Sequence, residues 1–154
     1  RYKEVGGQLS QLKYPTSGEL TFAKGAAQTF QGGNIYWNKT RGQSYSVWGA
    51  IKSKYASING SSSYLGLPRS NEMAGSQGAG QIFESGKIFW KSGKGAFTTH
   101  GAIGDLYNNL GSRGGKLGYP VSEEKKTADG KTYQDYEGGQ IYWTKSRGAW
   151  VLYK

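Results

Sequence analysis

The chain has 154 residues, with 26 glycines, 12 tyrosines, 5 tryptophans and no cysteine, which excludes disulfides, thiolate catalysis and cysteine-ligated metal. Its formal net charge is +10, from 20 basic and 10 acidic side chains, and such a field favours anionic partners such as nucleic acid, acidic lipid or a wall polymer carrying carboxylates or phosphates. No run of five consecutive Lys/Arg makes a basic tail, and no stretch approaches the roughly 18 apolar residues that cross a membrane.

One pattern recurs three times. Gly33-Asn34-Ile35-Tyr36-Trp37 returns as Gly86-Lys87-Ile88-Phe89-Trp90 and again as Gly139-Gln140-Ile141-Tyr142-Trp143, so the tryptophans fall 53 residues apart. A fixed period of this size marks a repeat architecture. A unit of about 53 residues is near the lower limit for independent folding, so neighbouring units are expected to share a core or an interface. The predicted units are 1–48, 49–100 and 101–154. The chain opens at Arg1-Tyr2, inside a repeat, and reads as a mature or excised piece of a longer array.

Within each unit the elements follow one order. Gly49-Ala50-Ile51 and Gly101-Ala102-Ile103 open predicted short helices over 49–57 and 101–110, with Ile51 and Tyr55, and Ile103 and Tyr107, four residues apart on one face. Tyr2 matches Tyr55 and Tyr107, but the first unit is expected to lack the leading helix. Next come Leu12-Lys13-Tyr14-Pro15, Leu65-Gly66-Leu67-Pro68 and Leu117-Gly118-Tyr119-Pro120. Gly admits positive φ and Pro holds its predecessor extended, so these are chain reversals. Lys13 in place of Gly predicts a divergent turn in the first unit. Ser17, Ser70 and Ser122 follow and are placed to bond nearby backbone.

A Gly-, Ala- and Lys-rich stretch (23–28, 74–80, 125–132) then reads as a loop or weak strand pair. A strand ending at Phe30, Phe83 or Tyr136 meets a tight turn at Gly32-Gly33, Ser85-Gly86 or Gly138-Gly139. On the returning strand, alternation puts Ile88 and Trp90 on one face and Phe89 on the other. A second turn at Arg41-Gly42, Lys94-Gly95 or Arg147-Gly148 leads to a last strand carrying Tyr45, Phe97 or Trp150. The predicted fold is mainly β with short helices, a tandem array of three small antiparallel meanders.

The ordered set Gly-Ala-Ile-x-x-x-Tyr, Leu-Gly-Tyr-Pro-x-Ser-x-Glu, Gly-Gly-x-Ile-Tyr-Trp and Arg-Gly-Ala resembles the LGFP repeat family over nearly the whole chain. The resemblance implies a non-catalytic module of secreted actinobacterial cell-envelope proteins. It implies binding to a peptidoglycan–arabinogalactan type polymer, and a covalently linked catalytic or surface domain that the module would anchor.

Several residues are candidates for chemistry. His100 is the single histidine, so no histidine pair offers a metal site, and no phosphate loop, nucleophile elbow or cofactor motif is present. Glu19, Glu72 and Glu124 recur once per unit beside a Ser, and this spacing favours turn bonding over a glycosidase, which needs two carboxylates at one sugar. Trp37, Trp90 and Trp143 suit sugar stacking, although a unit this small weighs toward using them as core anchors. Tyr36, Phe89 and Tyr142 point the other way along the strand, toward a unit–unit interface or a ligand. Arg41, Lys94 and Arg147 recur four residues after each Trp and are expected to present one basic group per unit to an anionic glycan. These nine aromatic and basic residues form the expected ligand-binding set, with no catalytic residue, cofactor or metal. The rival readings are a spacer without ligand, a nucleic-acid or other polyanion binder, and a hydrolase using the repeated Glu residues.

Overall fold

The computed structural model describes residues 2, 3, 7 and 10–154. Among them, twelve strands form three four-stranded antiparallel sheets, each in simple meander order. The first sheet holds β1 (Leu20–Phe22), β2 (Gly25–Thr29), β3 (Gly33–Asn38) and β4 (Gln43–Trp48). The second holds β5 (Met73–Gly75), β6 (Gly78–Phe83), β7 (Gly86–Lys91) and β8 (Gly95–His100). The third holds β9 (Lys125–Lys126), β10 (Thr132–Tyr136), β11 (Gly139–Thr144) and β12 (Gly148–Tyr153).

Two helices, α1 (Gly49–Ser57) and α2 (Gly101–Asn109), link consecutive sheets. Each ends two residues before a left-handed position, Asn59 at φ 78° and Gly111 at φ 98°, and a single 3-10 turn follows. Left-handed backbone is an ordinary way to stop a helix. The expected loss of a leading helix in the first unit falls on a stretch in which residues 1, 4–6, 8 and 9 lie outside the described residues. Tyr2 nonetheless takes the place of its repeat partners. Its hydroxyl donates to the Lys13 carbonyl at 2.7 Å, as Tyr55 does to Gly66 at 2.6 Å and Tyr107 to Gly118 at 2.5 Å.

The cores lie between the sheets. One gathers Tyr36 and Val47 from the first sheet, Ile51 and Tyr55 from α1, Leu65 and Leu67, and Phe83 and Ile88 from the second sheet. The other gathers Phe89 from the second sheet, Ile103 and Tyr107 from α2, Leu117 and Tyr119, and Tyr136 and Ile141 from the third. Strand β7 feeds both, Ile88 to one side and Phe89 to the other, as its alternation predicts. Tyr36 and Phe89 are therefore buried interface residues, each meeting the next unit's helix tyrosine edge to face at 5.5 and 5.6 Å.

The Leu-x-x-Pro reversals keep one geometry in all three units. Gly66 and Gly118 sit at φ 72° and 68°, and Lys13 adopts φ 61°. The first turn is thus not divergent; Lys13 holds the same left-handed backbone against a steric cost of roughly 1–2 kcal/mol. A carboxylate or amide two strands on closes the turn. Leu67 N–H donates to Glu84 at 2.8 Å, Tyr119 N–H to Glu137 at 2.9 Å, and Tyr14 N–H to Gln31 at 3.2 Å. Ser17, Ser70 and Ser122 bond backbone as expected, accepting from Thr29, Ile82 and Asp135 N–H at 3.0 Å each.

Buried amides then fasten unit to unit. Gln81 Nε2 donates to Ser46 O at 3.0 Å and to Ser70 O at 2.8 Å, joining the first sheet's edge strand to the second unit's turn. Gln134 Nε2 does the same with Thr98 O and Ser122 O, both at 2.8 Å. The two differ at the other end of the amide. Gln134 Oε1 accepts the Tyr136 hydroxyl at 2.9 Å, whereas buried Gln81 Oε1 has no partner among the described residues, because Phe83 stands where Tyr136 does. Supplying that missing donor is expected to be stabilising. Phe83→Tyr should raise the unfolding free energy by about 1 kcal/mol in urea titration, and Tyr136→Phe should lower it by about 1–2 kcal/mol.

Candidate functional site

The tryptophans stand at the edge of the cores, with Trp90 and Trp143 partly buried and packed against them. Ile88 and Ile141 are fully buried beside them, while Trp37 is 39% exposed and Trp90 and Trp143 are half-buried. The reason is the row of residues that shares each register position across the sheet. Thr21, Ala26, Trp37 and Ser44 form one row; Ala74, Ala79, Trp90 and Ala96 the second; Lys126, Thr132, Trp143 and Ala149 the third. Small side chains flank each indole on β2, β6 or β10 and on β4, β8 or β12, and leave a hollow in the sheet face.

Each hollow takes in the repeated glutamate. Around Trp90 lies a cavity of about 350 Å³ lined by Trp48, the first turn of α1, Glu72, Ala74 and Ala79. Around Trp143 lies one of about 220 Å³ lined by Ala102, Ile103, Glu124 and Thr132. Around Trp37 lies a shallow one of about 70 Å³ lined by Glu19, Ala26, Ile35 and Ser44. The turn-bonding role expected for these glutamates belongs instead to the serines and to Glu84 and Glu137.

The three carboxylates have different surroundings. Glu19 is exposed. Glu124 faces the imidazole of His100, with Nε2 at 3.7 Å. Glu72 is half-buried with no hydrogen bond or ion pair among the described residues, and burial alone pushes its pKa above the ordinary carboxylate value. An apolar hollow with two indoles and one unpaired carboxylate offers flat stacking surface and a strong hydrogen-bond acceptor.

The nine candidate residues are divided by the sheet rather than assembled on one side. Trp37, Trp90 and Trp143 line the hollows. Tyr36 and Phe89 are closed off between units, and Tyr142 occupies the equivalent place on the outer face of the third sheet. There it stacks between Tyr133 and Trp150, with ring centroids 5.3 and 5.8 Å away. Arg41, Lys94 and Arg147 are exposed at hairpin tips and none lines a hollow. Arg41 Nε donates to the Tyr45 hydroxyl at 3.0 Å and the Arg147 guanidinium lies 4.0 Å from the Trp150 ring centre, on the face opposite the tryptophan hollow.

Sequence reasoning missed Trp48 as a lining residue, since it stands at the end of β4 and reaches the next unit's hollow only through the fold. It also missed the small residues in register with each Trp. Their signal was present in Ala26, Ala79, Ala96 and Ala149, and needed strand pairing to be read.

Glu72 sets a measurable trade between stability and site chemistry. A carboxyl whose folded pKa is raised binds its proton more readily folded than unfolded, so it favours the folded state at acid pH and costs stability once pH rises above its folded pKa. Glu72→Gln should therefore raise the melting temperature at pH 7. The gain should shrink as pH falls through the carboxylate range.

Comparison with protein families shows what the recurring geometry is. The LGFP repeat profile matches residues 12–63, 65–115 and 117–154, one match for each sheet with the reversal that precedes it. Comparison with curated proteins returns no match. With three consecutive matches over nearly all of its length, the chain belongs to the LGFP repeat family.

Proposed function

We propose that the chain is a non-catalytic module that binds a cell-wall polysaccharide of the peptidoglycan–arabinogalactan type. In this reading it acts outside the cell or in the cell envelope of an actinobacterium. It holds a covalently linked enzyme or surface protein to the wall by several weak contacts. One observation carries the proposal: each unit opens a hollow that pairs a half-exposed Trp with a carboxylate, and the largest, at about 350 Å³, is of a size for one sugar residue. Indole faces complement the apolar faces of sugar rings, and a carboxylate accepts hydroxyl protons.

Separation of the carboxylates supports binding without chemistry. Glu19, Glu72 and Glu124 lie in three different hollows, whereas glycoside hydrolysis usually needs a carboxylate pair roughly 5–9.5 Å apart on one sugar. Weak single contacts on one rigid chain combine through effective concentration. The exposed basic turns at Arg41, Lys94 and Arg147 add long-range attraction to an anionic wall rather than contacts within the hollows.

Sedimentation with purified walls, before and after removal of the arabinogalactan, tests this. Trp90→Ala should weaken retention by about ten-fold, more than Trp37→Ala, and the triple Trp37/Trp90/Trp143 variant should remain in the supernatant. Retention should survive a rise in salt that strips a polyanion binder of similar charge. Equal retention of all Trp variants would sink the reading. Full release by moderate salt would favour the polyanion alternative.

A further inference from the structure

The hollow at the junction of the first two units differs from its counterpart at the second junction in the residues beside the Trp, Ala74 and Ala79 against Lys126 and Thr132, and in one aromatic exchange. Trp48 ends β4 and lines the first; His100 ends β8 at the matching place in the second. At the second junction the imidazole approaches Glu124, with Nε2 3.7 Å from the carboxylate, so the protein supplies the carboxylate's partner from its own chain. At the first junction that partner is gone. An indole has replaced it, and Glu72 faces an apolar space of about 350 Å³ bounded by Trp48 and Trp90.

We propose that the Trp48–Trp90–Glu72 hollow binds an ammonium group, such as the free amine of an amino sugar or of a wall peptide. This deepens the wall-binding reading and rests on it for the identity of the polymer, though the pocket chemistry stands by itself. Two indole faces attract a cation through their quadrupoles, most strongly where water is excluded. A carboxylate removed from water and left without a counter-charge is costly, and a cationic ligand relieves that cost while a neutral hydroxyl relieves less of it. The raised pKa of Glu72 agrees with a carboxylate that has no cation beside it. At the second junction His100 Nε2 stands beside the matching carboxylate, where the first junction leaves open space.

The chain's charge of +10 opposes the approach of a free cation at long range. At physiological salt this repulsion is screened beyond roughly 8–10 Å, so the contest is decided inside the hollow. An amine carried on an anionic or zwitterionic polymer meets no such barrier. The site thus selects a positive group within a chain that the rest of the surface attracts.

The test compares D-glucosamine, N-acetylglucosamine and glucose by NMR on the intact chain at neutral pH and physiological salt, following the indole N–H resonances of Trp48 and Trp90. Glucosamine should shift both resonances with an affinity roughly ten-fold or more above that of the two neutral sugars. Glu72→Gln should erase that preference, while Glu124→Gln should leave it intact. Equal affinity for the charged and neutral sugars, or a preference unchanged in Glu72→Gln, would overturn the proposal. Wall sedimentation separates the two readings: retention without ammonium preference removes the amine assignment alone, and ammonium binding without retention removes the wall reading alone.

Discussion

Everything in this fold depends on a sheet that has two faces to cover and only one helix of its own to cover them with. The second sheet buries one face against α1, which precedes it, and its other face is apolar. The next unit's helix completes the cover. Tyr36 and Phe89 are buried only because Tyr55 and Tyr107 arrive from the following unit. Stability is thereby a matter of nearest neighbours, as in other repeat proteins, and the Ile-aromatic-Trp strand is the element that serves both sides.

Polar groups set the register that the apolar contacts leave loose. The outward edge of β4 presents Ser46, whose carbonyl accepts from Gln81 and whose N–H donates to Asn71 at 3.1 Å. On β8 the carbonyl of Thr98 accepts from Gln134 and its N–H donates to Glu123 at 2.9 Å. An unpaired sheet edge invites pairing with other chains, and these side chains close it within the array. The second junction adds charge, since Lys91 is ion-paired with Glu137 and Lys54 lies 3.3 Å from Glu123. At the first junction Asn38 stands where Lys91 does, and donates to the Pro68 carbonyl at 3.2 Å.

Equivalent positions therefore share geometry while their chemistry diverges. The outer face of the third sheet shows the same divergence. Gly80, which lies opposite Phe89 on β6, is matched on β10 by Tyr133 opposite Tyr142. Tyr133, Tyr142 and Trp150 then form a stacked ladder, with Lys125 over the first ring and Arg147 over the last. This face covers its own aromatic surface with cations, where the inner sheets leave room for a neighbour's helix.

Much of this was legible in the amino-acid order. The period placed three meanders, the four-residue spacing of Ile51 and Tyr55 placed a helix at 49–57, and strand alternation separated Ile88 from Phe89. Those are local properties, determined by backbone periodicity and turn chemistry within one unit. The sites were not legible in that way. Whether Trp90 is core or surface depends on Ala74, Ala79 and Ala96 lying beside it in register, and whether Glu72 bonds a turn or faces a hollow depends on which groups reach it. Trp48 joins that hollow from the preceding unit. A linear pattern carries the strand direction of each side chain, but only the packing of one sheet upon the next decides what that side chain meets.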